Sequence, residues 1–294
     1  MAKSLMELIP AKTILSPVKN APDKYFGSHY TINMYRGCPH GCIYCDTRSD
    51  CYQIDDLSRI RVKENALQLL ADALPRKRKK GTVITGSMHD PYMALEKKLK
   101  LTRGALKLIQ RNGFGCHVIT KSDLVVRDID MLTKFTTYAA VSLTITTADD
   151  HLAKIIEPHA PRPTERFAAL KALRQAGIYA GITLMPTLPF LTDTENNIHE
   201  LLDRAAEANA SYVLFWPGMT LRDRCRKYYY DQLNIHFPHL VKKYEQFYGE
   251  EMVCNSPNGS SLYSLFQKKC AQYKIAQSIK PWVPPEQKQA TLPF

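Results

Sequence analysis

Between residues 30 and 216 the chain alternates repeatedly between two periods, and this limits what it can fold into. Short β-branched runs fall at 31–35, 82–85, 117–120, 139–144, 179–184 and 212–215. Between them lie amphipathic stretches at 62–74, 102–111, 127–134, 164–176 and 196–208, where apolar residues recur at helical spacing. Strand–helix alternation implies parallel strands joined by right-handed crossovers. Six such units predict an α/β fold, an open, partial (β/α)6 barrel of TIM type. The helix over 164–176 is well punctuated. Thr164 can cap its start, Phe167, Leu170 and Leu173 line one face, and Gly177 suits the left-handed position beyond its end.

The flanks read differently. Residues 1–27 carry Pro10, Pro17 and Pro22 and form an extended N-terminal segment that wraps the barrel of residues 28–220. Residues 221–280 return to helical patterns, at 238–248 and 262–273, and form an extension packed on the barrel; 281–294 is a tail. A hydrophobic fraction of 45% supports a sizeable core. No run of about 18 apolar residues suggests a membrane span, and the first ten residues lack the apolar stretch of a signal peptide. Eight cysteines in such a chain point to a reducing, cytoplasmic setting. The formal charge of +12 favours polyanionic partners.

Directly after the first strand stands Arg36-Gly37-Cys38-Pro39-His40-Gly41-Cys42-Ile43-Tyr44-Cys45-Asp46, a C-x3-C-x2-C triplet. Three thiolates are one short of a closed four-cysteine site, and an open coordination position serves chemistry where a closed one serves structure. A zinc knot completed by Cys51 or His40 is the bland alternative, but zinc ribbons present two close pairs, and here no second pair follows. The remaining cysteines, Cys51, Cys116, Cys225, Cys254 and Cys270, are scattered, as buried small hydrophobes are.

The triplet, with Tyr44 before its last cysteine, resembles that of the radical S-adenosylmethionine (SAM) superfamily. That resemblance implies a [4Fe–4S] cluster on Cys38, Cys42 and Cys45. SAM would chelate the open iron and be cleaved by one electron, from a low-potential donor, to a 5′-deoxyadenosyl radical. It also implies a partial barrel with its site at the carboxyl ends of the strands. SAM contacts are then expected from Tyr44, from Ser87 and His89 after strand two, from Lys121 after strand three, and from Ser142 in strand four, whose face also carries Thr144. The segment from Gly181 to Pro186 would supply apolar walls.

The motifs His89-Asp90-Pro91-Tyr92, Lys100-Leu101-Thr102-Arg103-Gly104, the stretch from Ile119 to Asp128, Ser142 and Glu157-Pro158 make the likeness closer. Over residues 28–220 they resemble the spore photoproduct lyase-like, DNA-repair branch of that superfamily, in which a lysine and a serine like Lys121 and Ser142 hold SAM. Two departures stand out. Ser87-Met88-His89 has no thiol where those lyases keep a hydrogen-donating cysteine, and Asp46 replaces a tyrosine of the radical relay. The expected activity is radical SAM chemistry on a nucleic-acid lesion or modified base, with carbon–carbon lyase action as the model. The alternatives are radical modification of a peptide, RNA or small metabolite, and a non-catalytic nucleic-acid adaptor with a structural cluster.

The basic run from Arg76 to Lys80 precedes strand two, so it belongs to the face opposite the cysteines. Arg222, Arg224, Arg226 and Lys227, running into three tyrosines after strand six, are better placed to meet DNA; the alternative is an amphipathic helix that buries its tyrosines. At the end of the chain, Gln289, Leu292 and Phe294 resemble the Q-x-x-L-x-F peptides that bind the bacterial sliding clamp.

Overall fold

The structure is a computed structural model and describes residues 6–283. Six parallel strands form at Tyr30–Ile32, Thr82–Thr85, Gly115–Thr120, Ala139–Thr144, Tyr179–Leu184 and Val213–Phe215, hydrogen-bonded in that order. The short strand Ser16–Pro17 pairs antiparallel with the first and lengthens that edge. Each strand alternates its faces. Val118, Val141 and Ile182 join Leu106, Leu170 and Leu201 of the crossover helices in the main core. The opposite face carries His117, Ser142, Thr144 and Thr183, all buried inside the half-barrel. Lower in that interior Tyr212, Leu214 and Ile279 pack together with Phe26, so both flanking segments help to plug it.

Strands two, four and five keep their expected bounds. Elsewhere the structure corrects them. The first strand stops at Ile32, and Tyr35–Arg36 leaves for a separate sheet with Ile60–Lys63 and Met6–Ile9. Residues 62 and 63 are therefore strand rather than helix, because Ile60, Arg61, Val62 and Lys63 alternate buried and half-buried; the helix begins at Ala66 and ends at Ala73. The stretch 127–134 splits into a 3₁₀ turn at Asp123–Asp128 and one α-turn at Ile129–Leu132. Thr164 is not a cap: the helix Pro163–Gln175 starts on a proline, and Glu165 Oε2 accepts from the Arg162 backbone N–H at 2.6 Å. Gly177, at φ +79°, does take the left-handed position.

After strand six, the helices Asp223–His236, Pro238–Tyr248 and Gly259–Tyr273 form the extension, the last packing against helix Glu195–Glu207. Ile43 and Tyr44 of the cysteine loop share an apolar cluster with Met219, Tyr229, Leu233 and Tyr244. The extension thus backs the cysteine loop.

Candidate functional site

A cleft of about 290 Å³ opens at the carboxyl ends of the strands, and Cys38, Cys42 and Cys45 all line it. Their loop is pinned from both sides by backbone hydrogen bonds, from Cys38 N–H to Leu57 at 2.8 Å and from Ile43 N–H to Ile156 at 3.0 Å. Burial pushes the Cys38 thiol up to about 12 and raises that of Cys42 further. A metal that takes them as thiolates must displace those protons. Among the described residues, no three His, Cys, Asp or Glu side chains converge on a single ion. A [4Fe–4S] cluster would take each thiolate on a different iron, so three cysteines need not meet at one ion to hold it.

Beneath the cysteines lies a buried charge network. The Tyr44 hydroxyl donates to Glu157 Oε1, and Arg166 Nη2 meets Glu157 Oε2 at 2.5 Å, with both charged side chains about 1% exposed. Arg166 also donates to the carbonyls of Pro161 at 2.7 Å and Thr144 at 2.9 Å. Burial alone would raise the Glu157 carboxyl, but Arg166 and then Lys121 outweigh it and hold the group below its ordinary range. The Lys121 ammonium sits 5.5 Å from the centre of the Tyr44 ring. Burial opposes its charge, and Cys42 and Glu157 restore it.

Lys121 is positioned by Asp90, whose carboxylate accepts from the Lys121 N–H at 2.7 Å, the Thr120 hydroxyl at 2.7 Å and the Tyr92 N–H at 2.8 Å. This staples the loop after strand two to the end of strand three. Gly86 allows the approach: its φ is +97°, and a Cβ there would stand 1.7 Å from the Ile119 carbonyl oxygen. Gly86→Ala should cost at least about 2 kcal/mol of stability, read as a lower denaturant midpoint.

The expected site residues divide. Tyr44, Ser87 and Lys121 line the cleft, together with Thr144, Met185 and Pro186. His89 does not: it faces a neighbouring cavity with Arg36 and Lys63. Ser142 lies on the face of Thr144 but one step deeper, and its hydroxyl is engaged by His117 Nε2 and Tyr212 Oη, each at 2.8 Å. Burial holds His117 down at about 4, against 6.5 for a free imidazole. Between those values the unfolded chain binds the proton and the folded one does not. Stability should therefore fall as pH drops from 6.5 towards 4, less steeply in His117→Asn, as urea titrations would show.

Glu157 was legible only as part of a motif, and Arg166 was missed. Its signal is a cation on the face that Phe167, Leu170 and Leu173 bury. Cys51, the possible fourth zinc ligand, is outside the cleft, whereas His40 lines it, 3.7 Å from Asp90. The other four scattered cysteines are buried and free. Asp46 accepts from the Thr220 hydroxyl at 2.8 Å and faces Arg222 at 3.4 Å, tying the cysteine loop to the extension. Arg224 pairs with Asp50, Lys227 with Asp231 at 2.9 Å, and Arg226 is largely consumed by the carbonyls of Gly249, Leu221 and Glu251. Tyr229 is buried, as the amphipathic alternative requires, while Tyr228 stacks under Arg48 at 3.6 Å. The Lys79 carbonyl accepts from Tyr30 at the start of strand one, so the basic run does belong to the opposite face. Gln289, Leu292 and Phe294 lie outside the described residues. Among the described residues no helix is long and apolar enough to cross a membrane.

Three thiols, an ammonium, several hydroxyls and an apolar wall within one cleft fit a cluster bound at three corners and a ligand bearing a carboxylate and an adenine. Comparisons with known proteins agree. An uncharacterized protein of Mycobacterium tuberculosis is 30% identical over 291 residues, covering 96% of this chain and 84% of its own length. Another, of Methanocaldococcus jannaschii, is 40% identical over 182 residues, 61% of this chain and 68% of its own. A solved structure of spore photoproduct lyase complexed with dinucleoside spore photoproduct superposes with a TM-score of 0.68 at 16% identity, over 91% of this chain and 79% of that one. That likeness establishes the shared fold. The model of the radical SAM superfamily, whose cofactors are a [4Fe–4S] cluster and SAM, matches residues 32–205, and the chain belongs to that superfamily.

Proposed function

We propose that this protein is a radical SAM enzyme that acts on a nucleic-acid lesion or modified base. The observation that carries the reading is the convergence of Cys38, Cys42, Cys45 and the half-buried Lys121 on one cleft. When bound there, the cluster and SAM supply a 5′-deoxyadenosyl radical. The chain's own part is to hold and to exclude. The three thiolates anchor the cluster, and Lys121, kept charged by Glu157, offers a counter-ion to a carboxylate. The Tyr44 hydroxyl is fixed on Glu157, so its ring forms a rigid wall under Lys121. Met185, Pro186 and Trp216 narrow the cleft on the apolar side and keep water from a reactive intermediate.

The nucleic-acid substrate is supported by the net charge of +12 and by a fold shared with a lyase solved with a dinucleoside. Its chemistry departs from that lyase type at two points: the loop after strand two offers Ser87, whose O–H bond is too strong to replace a thiol as hydrogen donor, and Asp46 stands where the relay tyrosine would. In this reading Arg222 and Arg224, half-exposed beyond the cleft residue Thr220, meet phosphates by exchanging their present carboxylate partners. The test is anaerobic, reconstituted protein with reductant, SAM and deuterated DNA, following label into 5′-deoxyadenosine. Label from DNA supports the reading; label only from a peptide, RNA or metabolite replaces the substrate class, and uncleaved SAM defeats it. Arg222→Gln with Arg224→Gln should weaken DNA binding across sequences and flatten its log–log salt slope by about 1–2.

A further inference from the structure

We propose that the cavity bounded by Asn33, Arg36, Lys63 and His89 is a phosphate-binding subsite beside the cluster cleft, a refinement that rests on the nucleic-acid reading above. This cavity, about 360 Å³, is separated from the cleft by the loop after strand two, and Met88 lines both. Strand Tyr35–Arg36 runs antiparallel to Ile60–Lys63 with Arg36 directly opposite Arg61. Lys63, two residues on, shares the face of Arg61. Like charges placed directly opposite destabilise a ribbon, yet here three cations share one half-buried face.

No carboxylate neutralises them among the described residues. Glu7, in register with Arg61 on the next strand, pairs instead with Arg59 at 2.9 Å. The Arg36 guanidinium donates to the carbonyls of Tyr52 at 3.1 Å and Gln53 at 2.6 Å, which orients it without cancelling its charge. His89 is 5% exposed and its Nδ1 has no partner. Burial first, then Lys63, Arg36 and Arg61, hold its imidazole down at about 4, and Arg36 and Lys63 line the same cavity as the ring. The Arg61 Nε is also buried without a partner. Positive charge and idle nitrogen atoms approach from several directions, and a tetrahedral oxyanion, with oxygens on every side, meets them better than a planar carboxylate.

Phosphate could come from a nucleic-acid diester or from a free nucleotide. The test is calorimetry on anaerobic, cluster-loaded protein with inorganic phosphate, thymidine 5′-monophosphate and thymidylyl-thymidine as separate probes. Arg36→Gln and Lys63→Gln should each weaken binding about tenfold, while Lys79→Gln, the same charge change on the opposite face, should leave it unaltered. Without phosphate, Arg61→Gln should melt higher than the parent protein, because the facing cations are relieved. Phosphate should also raise the His89 titration midpoint by NMR. Tighter binding of the dinucleoside monophosphate supports a nucleic-acid source, and tighter binding of the monophosphate a free nucleotide. Equal affinities in all three variants, a lower melting point for Arg61→Gln, or no binding of any probe would overturn the proposal. No reductant is present, so the outcome does not depend on SAM cleavage, and a failure of cleavage leaves it standing.

Discussion

Alanine at any one of Cys38, Cys42 or Cys45 is expected to take SAM cleavage to background and to strip most of the iron, while the fold survives. The fold should survive because the loop is held by things other than sulfur. Its backbone bonds reach Leu57 and Ile156, the Tyr44 hydroxyl reaches Glu157, and Ile43 is packed among the residues of the extension. Loss of a cluster corner has no such backup, since each thiolate holds its own iron. Iron and sulfide analysis of anaerobic protein, with far-ultraviolet circular dichroism alongside, checks both halves. Cys51→Ala is the informative companion. Cys51 lines the neighbouring cavity and not the cleft, so its loss should leave iron content unchanged, whereas a zinc knot closed by Cys51 would lose its metal. A cysteine-to-alanine variant of the triplet that retains full iron would refute the assignment.

Glu157→Gln should cause the largest loss of stability among single changes at the site, about 3–5 kcal/mol. The glutamine keeps the shape and still accepts from Tyr44, but it leaves the Arg166 guanidinium buried without its carboxylate partner and weakens the support of the Lys121 ammonium. A paired change, Glu157→Gln with Arg166→Met, should restore part of the loss, because the unpaired charge rather than the missing bond dominates the cost. Denaturant unfolding of the parent, of Glu157→Gln, of Arg166→Met and of the double variant measures the cycle. The same carboxylate sets a pH signature. Its folded value lies below 4.5, so its stabilisation is complete above 4.5 and disappears as pH falls through the depressed value. Glu157→Gln should lack that acid limb. If the single and double variants unfold at the same denaturant concentration as the parent protein, the network contributes nothing.

The sequence was most readable where one face of an element is repeatedly apolar. Residues 82–85, 139–144 and 179–184 sit between helices and the barrel interior, and their β-branched runs end where the strands end. Where two signals overlap, it misled. Val62 could belong to the helical repeat of Leu70 and Leu74 or to the alternation of Ile60 and Val62, and only the pairing with Tyr35 on one side and Leu8 on the other decided for the strand. His89 and Ser142 show the same limit at the site. Both stand near strand ends that feed the cleft, yet one is turned into the next cavity and the other is spent one step below the rim.

What the chain by itself determined is the set of interactions within covalent reach. The cysteine triplet spans eight residues, its spacing fixes which thiols can share a cluster, and its place after the first strand fixes the end of the barrel on which it lies. Only the tertiary structure could decide the partners that lie far apart in the chain. Tyr44 meets Glu157 across 113 residues, Asp46 meets Thr220 across 174, and Arg36 faces Arg61 in a sheet no local pattern announced. The physical reason is that a buried charge is tolerable only against a specific partner, and the packing of helices and strands from the whole chain selects that partner.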